Sequence, residues 1–188
     1  MGCGSADLLE LLKKNNNCDV VGVDLSPVAI NNSNSDVRKF LHVDDARKFL
    51  EQKDDSSFDL ILMIDFLEHI PVEDLEELLT GIYRVLRTDG TIISRQPNAG
   101  SLISRDAYYS DYTHKYFHSW RGLEYLFRCA GFKNLQSLAV YPQGSFRYFL
   151  ARVILKIVFF IFSCIYKIEN GLGSKCIMTK NFLIIGYK

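Results

Sequence analysis

The sequence predicts an open α/β fold, a doubly wound and mostly parallel sheet flanked by helices. Two observations carry that reading. Short apolar runs ending in an acid alternate with helix-like stretches from residue 6 to residue 131, the pattern of right-handed βαβ units. The chain of 188 residues is 48% hydrophobic, with 22 basic against 22 acidic side chains; it suffices for one well-packed domain and not for two ordinary ones. Residues 1–188 are therefore expected to form a single domain.

The elements follow in order. Residues 6–14 read as a helix, with Leu8, Leu9, Leu11 and Leu12 forming one apolar stripe. The run DVVGVD at 19–24 is a buried parallel strand by its composition. Ser26 and Pro27 then open a second helix as N-cap and first-turn residue. Residues 40–44 form the next strand candidate and 46–52 a short helix; FDLILMI at 58–64 is the strongest strand of the chain. Residues 72–86 are an amphipathic helix closed by a Thr88-Asp89-Gly90 turn, 90–95 a strand, and 119–130 a helix stopped by Gly131. Residues 135–141 and 181–187 are two further strands, the C-terminal one expected to run antiparallel, with an apolar helical insertion at 144–168 between them.

Composition excludes several classes. A net charge of zero leaves no basic footprint for nucleic acid, so no nucleic-acid partner is expected. Cys3, Cys18, Cys129, Cys164 and Cys176 are scattered and contain no C-x-x-C pair, which suggests reduced thiols rather than a zinc ribbon or redox dithiol. The N-terminus carries a glycine turn where a secretory signal would place a basic flank and apolar core, so a cytoplasmic location is expected.

In such a sheet, ligands bind beyond the carboxyl ends of the strands. Four strand ends carry suitable residues. Gly2 and Gly4 let the backbone turn sharply and approach a ligand closely, and the helix that follows points its first amides the same way. Asp24 is placed to accept from two ribose hydroxyls, Asp45 from an exocyclic adenine amine, and Asp65 and Phe66 end the fourth strand. A dinucleotide fingerprint is disfavoured, because Asp7 stands where its third glycine should be and would repel a pyrophosphate.

The successive segments GCGSA, VGVDLSPVAI, VDDA, FDLILMIDFLEHI and LRTDG resemble the motifs of class I S-adenosylmethionine (SAM) dependent methyltransferases. The likeness continues through Gln96-Pro97-Asn98, Asp111-Tyr112-Thr113-His114 and Ala130-Gly131-Phe132. Within the family it is most similar to bacterial enzymes of polysaccharide, lipid or quinone biosynthesis. The resemblance implies a Rossmann-like fold with SAM as cofactor: Gly2 and Gly4 would cradle the methionine part, Asp24 with its neighbour Leu25 the ribose, Asp45 and Ala46 the adenine, and Asp65 and Phe66 would border the cofactor. Two departures stand out. Ala6 replaces the third glycine of the loop, and only Met1 precedes Gly2 where the family has a central strand. The expectation is an N-terminally truncated or misannotated domain, with two inner strand edges left unpaired.

Methyl transfer needs alignment of the reactants and, for a hydroxyl acceptor, a base. His69 and His114 are the catalytic candidates; His118, next to Ser119, reads as part of a helix start. Asp65-Phe66-Leu67-Glu68-His69 also resembles the E-x-x-E-H metal motif of ubiquinone-biosynthesis and small-RNA methyltransferases. That likeness implies Asp65, Glu68, His69 and His114 as ligands for Mg2+ or Mn2+, to which oxygen donors with imidazole are suited. Arg105, Trp120, Tyr108, Tyr109 and Tyr112 are candidates for an acceptor pocket.

Residues 146–167 form a long apolar run interrupted by Arg152, Lys156 and Lys167. Its uninterrupted part falls short of the ~20 residues that cross a bilayer. On a helix, Arg152, Lys156, Ser163 and Lys167 share one narrow stripe. Peripheral membrane contact through this helix is expected, the lysines reaching toward headgroups, at the inner face of the membrane. The function read from the chain is methyl transfer from SAM to a hydroxyl of a small-molecule, sugar or lipid-linked intermediate. The alternative is a non-catalytic binding or scaffold domain that has lost SAM.

Overall fold

A computed structural model describes residues 1–16, 18–141 and 148–188. The order is α1 (Asp7–Asn16), β1 (Gly22–Asp24), α2 (Pro27–Asn31), α3 (Ser35–Arg38), β2 (Leu41–Val43), α4 (Ala46–Glu51), β3 (Phe58–Ile64), α5 (Leu75–Val85), β4 (Leu86–Pro97), α6 (Arg105–Tyr109), α7 (Trp120–Cys129), β5 (Lys133–Val140), α8 (Phe149–Asn170) and β6 (Asn181–Tyr187). Short 3-10 turns at Leu67–His69 and Val72–Asp74 lie between β3 and α5. The first residues of the expected 144–168 insertion and of the 146–167 membrane segment, 144–147 and 146–147, lie outside the described residues.

The amphipathic stretch at 72–86 begins as a 3-10 turn, and its helix starts three residues later than the pattern predicts. Leu75, Leu78, Leu79, Ile82 and Val85 recur at helical spacing and are fully buried. Each contributes about 1.5–3 kcal/mol relative to exposure. They place α5 against α4 and α7. Phe127, on the buried side of α7, and Phe182, on β6, complete the same core. The expected Thr88-Asp89-Gly90 turn sits inside β4 as an irregularity. Leu86 faces Phe58, whereas Thr91 already faces Leu60, so the residues between are looped out, with Asp89 at φ +65°. Asn34 caps α3, its Oδ1 accepting the Asp36 N–H at 3.1 Å.

The strands form two sheets, a pair β1–β2 and a four-stranded sheet in the order β3-β4-β6-β5. β1 pairs β2 in parallel, and β3 pairs β4 in parallel. β6 alone reverses direction in its sheet, as expected of the C-terminal strand. Because it lies between β4 and β5, both of its pairings are antiparallel. The four-stranded sheet thus has one parallel and two antiparallel pairings, fewer parallel ones than the alternation of elements suggests.

Among the described residues, β1 and β3 lie in separate sheets with no strand between them. On β1, the Gly22 N–H bonds to Phe40 and the Asp24 carbonyl to Asp44, both toward β2. Val23 between them points away, by the alternation of backbone groups along a parallel strand. Its carbonyl accepts the Cys3 N–H at 3.1 Å. On the other side, the Leu62 carbonyl of β3 accepts the Met1 ammonium at 2.7 Å. Residues 1–3 therefore bridge two facing edges at the top of a cleft of about 780 Å3, lined by Val21 and Val23 on one side and Phe58, Leu60 and Leu62 on the other. Burial in this cleft pushes the Met1 ammonium below its ordinary pKa.

Candidate active site

The loop that joins Met1 to α1 has the backbone a glycine turn requires. Gly2 and Gly4 adopt φ of +61° and +51°, where side chains are strained. A Cβ on Gly2 would lie 2.6 Å from the Phe66 ring, whereas Gly4 faces open space. Phe66 thus closes on the loop, and the backbone at Gly4 is open to a ligand. Ala6 holds φ +63°, the conformation of the glycine it replaces, with its methyl buried.

Asp24, at the end of β1, organises this loop. Its Oδ2 accepts the Gly4 N–H and its Oδ1 the Ser26 N–H, each at 2.8 Å. A carboxylate has about four acceptor positions, so two remain for ribose hydroxyls. Leu25 beside it is 70% exposed. Asp45 is the N-cap of α4: its Oδ1 accepts the Arg47 N–H at 2.9 Å, and Arg47 pairs with it at 3.4 Å. Ala46 behind it is buried. A capping carboxylate keeps its second oxygen for another donor, which is compatible with adenine contact.

Asp65 sits at φ +50° at the end of β3 and pairs with Arg95 of β4 through both of its oxygens. That guanidinium competes for a carboxylate of the expected ligand set. Asp65 lies outside the cluster formed by Glu68, His69 and His114, whose ligand atoms come within 4.8 Å of one another. Sequence spacing could not reveal Arg95, 30 residues away, as the competing partner.

The turn after Phe66 carries the rest of the chemistry. Glu68 is 1% exposed, and neither of its carboxylate oxygens has a hydrogen-bond partner. Burial pushes its carboxyl up to about 7. Its backbone carbonyl accepts the Lys115 and Tyr116 N–H groups at 2.7 and 3.2 Å, which docks the 111–116 loop onto the turn. That docking brings His114 beside His69, their ring centroids 4.8 Å apart. Tyr108 stacks on His114 and donates nothing to it; its carbonyl meets the His114 Nδ1 at 2.9 Å. A carbonyl only accepts, so His114 carries its proton on Nδ1.

The other candidates separate. His118 is buried, its Nε2 3.3 Å from the Leu67 carbonyl, and burial lowers its pKa, so it is a packed residue rather than a base. Tyr109 and Tyr112 are exposed, and Arg105 starts the short α6. Trp120 lies under the Lys175 ammonium and the Arg121 guanidinium, each 5.2 Å from its ring. Sequence reasoning missed the bonds of Asn98, whose Nδ2 donates to the Ile177 and Thr179 carbonyls and ties the end of β4 to the segment before β6.

The site geometry agrees with what the comparisons find. Residues 1–137 match the methyltransferase domain family, well over half of the chain. The chain belongs to that family. Its fold is similar to a SAM-dependent methyltransferase of Archaeoglobus fulgidus, at 25% identity and TM-score 0.74, covering 100% of this chain and 83% of the other. A SAM-dependent methyltransferase of Thermotoga maritima, described as a possible histamine N-methyltransferase, gives 20% identity and TM-score 0.67 over 100% of this chain and 79% of its own. The phosphoethanolamine N-methyltransferase 2 of Haemonchus contortus, solved with SAM, gives 18% and 0.68 over 100% of this chain and 47% of its own. Among curated proteins, no sequence matches. The protein is thus a methyltransferase-domain enzyme of the SAM-dependent fold. The glycine loop, Asp24 and the open backbone at Gly4 fit SAM as its cofactor.

The apolar helix α8 differs in detail from the sequence expectation. It spans 22 residues, with a window of mean hydropathy 2.2, roughly 33 Å at the helical rise. It is therefore long and apolar enough to cross a membrane, although the sequence run looked too short. None of its described residues is buried. The polar stripe is covered in part: Arg152, Ser163 and Lys167 are half-buried, whereas Lys156 is exposed, its ammonium 5.5 Å from the Tyr141 ring. The outward side is apolar, with Leu150, Ile154, Ile157, Ile161, Ile165 and Ile168 each more than half exposed.

Proposed function

We propose that this enzyme transfers the methyl group of SAM to a hydroxyl of a small-molecule, sugar or lipid-linked biosynthetic intermediate. The observation that carries the reading is the pair His69 and His114 immediately beyond Phe66, the residue that closes on the Gly2 loop. SAM supplies an electrophilic methyl on a sulfonium. Gly2 and Gly4 would give it backbone contact, Asp24 with Leu25 would hold its ribose, Asp45 and Ala46 would border its adenine, and Phe66 would limit its movement. His69 would take up the proton of the acceptor hydroxyl as the methyl group passes to its oxygen. Held reactants contribute the larger part of the rate.

The orphaned Glu68 carboxylate favours a second reading of the same residues. A buried carboxylate beside two imidazoles fits the donor set of a divalent cation such as Mn2+ or Mg2+. Glu68, His69 and His114 would hold it, and it would polarise the acceptor oxygen; Asp65 would not take part. Titration of Mn2+ followed by its paramagnetic signal distinguishes the two. Saturable binding that Glu68→Ala abolishes supports the cation, and its absence leaves His69 as the base.

The outward side of α8 suits the inner face of a membrane and an acceptor held there. Flotation with vesicles of mixed neutral and anionic lipid tests this: binding that Ile161→Lys weakens supports it, and a protein that stays with the aqueous fraction opposes it. The activity itself is tested by incubating the protein with methyl-labelled SAM and lipid or sugar extracts. Label in an alkali-stable ether-type product supports a hydroxyl acceptor, and label in an amine opposes it.

A further inference from the structure

The 111–116 loop does more than cover the turn. The Thr113 Oγ1 lies 2.7 Å from Asp111 Oδ1 and 2.9 Å from His69 Nδ1. Asp111 Oδ1 also accepts the Thr113 N–H at 2.8 Å. These bonds with Thr113 hold the Asp111 carboxyl below its usual range, so it is ionised and can only accept. The single hydroxyl proton of Thr113 is therefore committed to Asp111. What remains on Oγ1 is a pair of acceptor positions, so the His69 Nδ1 must be the donor. The proton of the neutral imidazole is then on Nδ1, and Nε2 carries the lone pair.

We infer that Asp111 and Thr113 are positioning residues that fix His69 in its Nδ1–H tautomer and present a bare Nε2 to the site. The inference rests on the reading in which His69 serves the site, and it applies whether Nε2 takes a proton from the acceptor or binds a cation. In either case the other ring nitrogen has to be engaged, which is the ordinary requirement of an oriented imidazole. The Glu68 carbonyl, by docking the Lys115 and Tyr116 N–H groups, keeps Thr113 within reach of the ring. A hydroxyl is needed at position 113, and serine supplies one; valine has the same shape without it.

The test needs no acceptor. Two-bond nitrogen–proton correlation spectra of the 15N-histidine-labelled protein, recorded in chelator at a pH where the ring is neutral, separate a protonated ring nitrogen from a bare one. His69 is expected to show a protonated Nδ1 in the parent protein and in Thr113→Ser. Thr113→Val and Asp111→Ala are expected to lose that form for the Nε2–H tautomer that free imidazole favours, while His114, held by Tyr108, keeps its own. A parent protein with its proton on Nε2, or a Thr113→Val variant that retains Nδ1–H, overturns the inference. Unaltered His114 resonances in Thr113→Val show that the loop remains docked, so a changed His69 signal is not a folding defect. Methyl transfer can fail in the parent protein without touching this result, which keeps the two claims separate.

Discussion

Replacing Glu68 with glutamine removes a buried titrating carboxyl, and its effect has a definite sign. The carboxyl is buried, has no hydrogen-bond partner, and titrates at about 7 against an ordinary 4.5. Below the ordinary value it is protonated in both the folded and the unfolded chain and costs nothing as a charge. As pH rises from there to the folded value, the unfolded chain gives up its proton and the folded chain keeps it, so stability is lost. Above about 7 the loss is complete, and it amounts to roughly 3 kcal/mol from the difference between the two values. Glutamine has the same shape and does not titrate; the cost of its own unpaired amide does not depend on pH. Urea unfolding in chelator at about pH 4.5 and about pH 8 should therefore show Glu68→Gln gaining about 3 kcal/mol on the parent protein between the two conditions. Other titrating groups are common to both proteins and cancel. If the two stabilities run parallel across that range, Glu68 is not a buried unpaired carboxyl. Saturating Mn2+ at the higher pH should narrow the gap if the cation reading is right, because a bound cation offsets the isolated charge.

Two further substitutions address the cofactor loop. Gly2→Ala forces a methyl into the Phe66 ring and strains φ +61°, so SAM affinity should fall at least about tenfold, equivalent to ~1.4 kcal/mol; isothermal titration reads it, and an unchanged affinity removes the loop from the site. Asp24→Asn leaves an acceptor oxygen for only one of the Gly4 and Ser26 N–H groups and turns an NH2 donor toward the other, and it would lose charge-assisted bonds to ribose. Affinity for S-adenosylhomocysteine should drop about tenfold to a hundredfold, from ~1.5–3 kcal/mol for hydrogen bonds to a charged group.

Which features were legible in the sequence follows from their range. The strand FDLILMI and the α5 stripe were readable because their periodicity is local, and the structure places Phe58–Ile64 where the run lies. The predicted N-cap at Ser26 is present, its Oγ accepting the Ala29 N–H at 3.2 Å. Gly4 and Asp24 do meet, because the motif fixes a loop and the end of a neighbouring strand. Asp65 shares a motif with Glu68 and His69, yet Arg95 on the adjacent strand captures it, and no local pattern encodes a cross-strand partner. Asp111-Tyr112-Thr113-His114 was legible as part of the family likeness, but the contact of Thr113 with His69, 44 residues earlier, exists only in three dimensions. The polar stripe of α8 was legible from its periodicity, but periodicity gives a face and not what the face meets: Arg152, Ser163 and Lys167 are half-buried and Lys156 is exposed.

The central claim is that the loop from Gly2 to Ala6, with Asp24, forms a SAM site in a fold whose β1 and β3 edges are bridged only by residues 1–3 among the described residues. Isothermal titration of the 188-residue chain with SAM and with S-adenosylhomocysteine tests it most directly. The account predicts saturable binding of both at one site per chain, lost in Asp24→Ala. A folded protein that gives no heat with either ligand, or one whose binding is indifferent to Asp24, contradicts it.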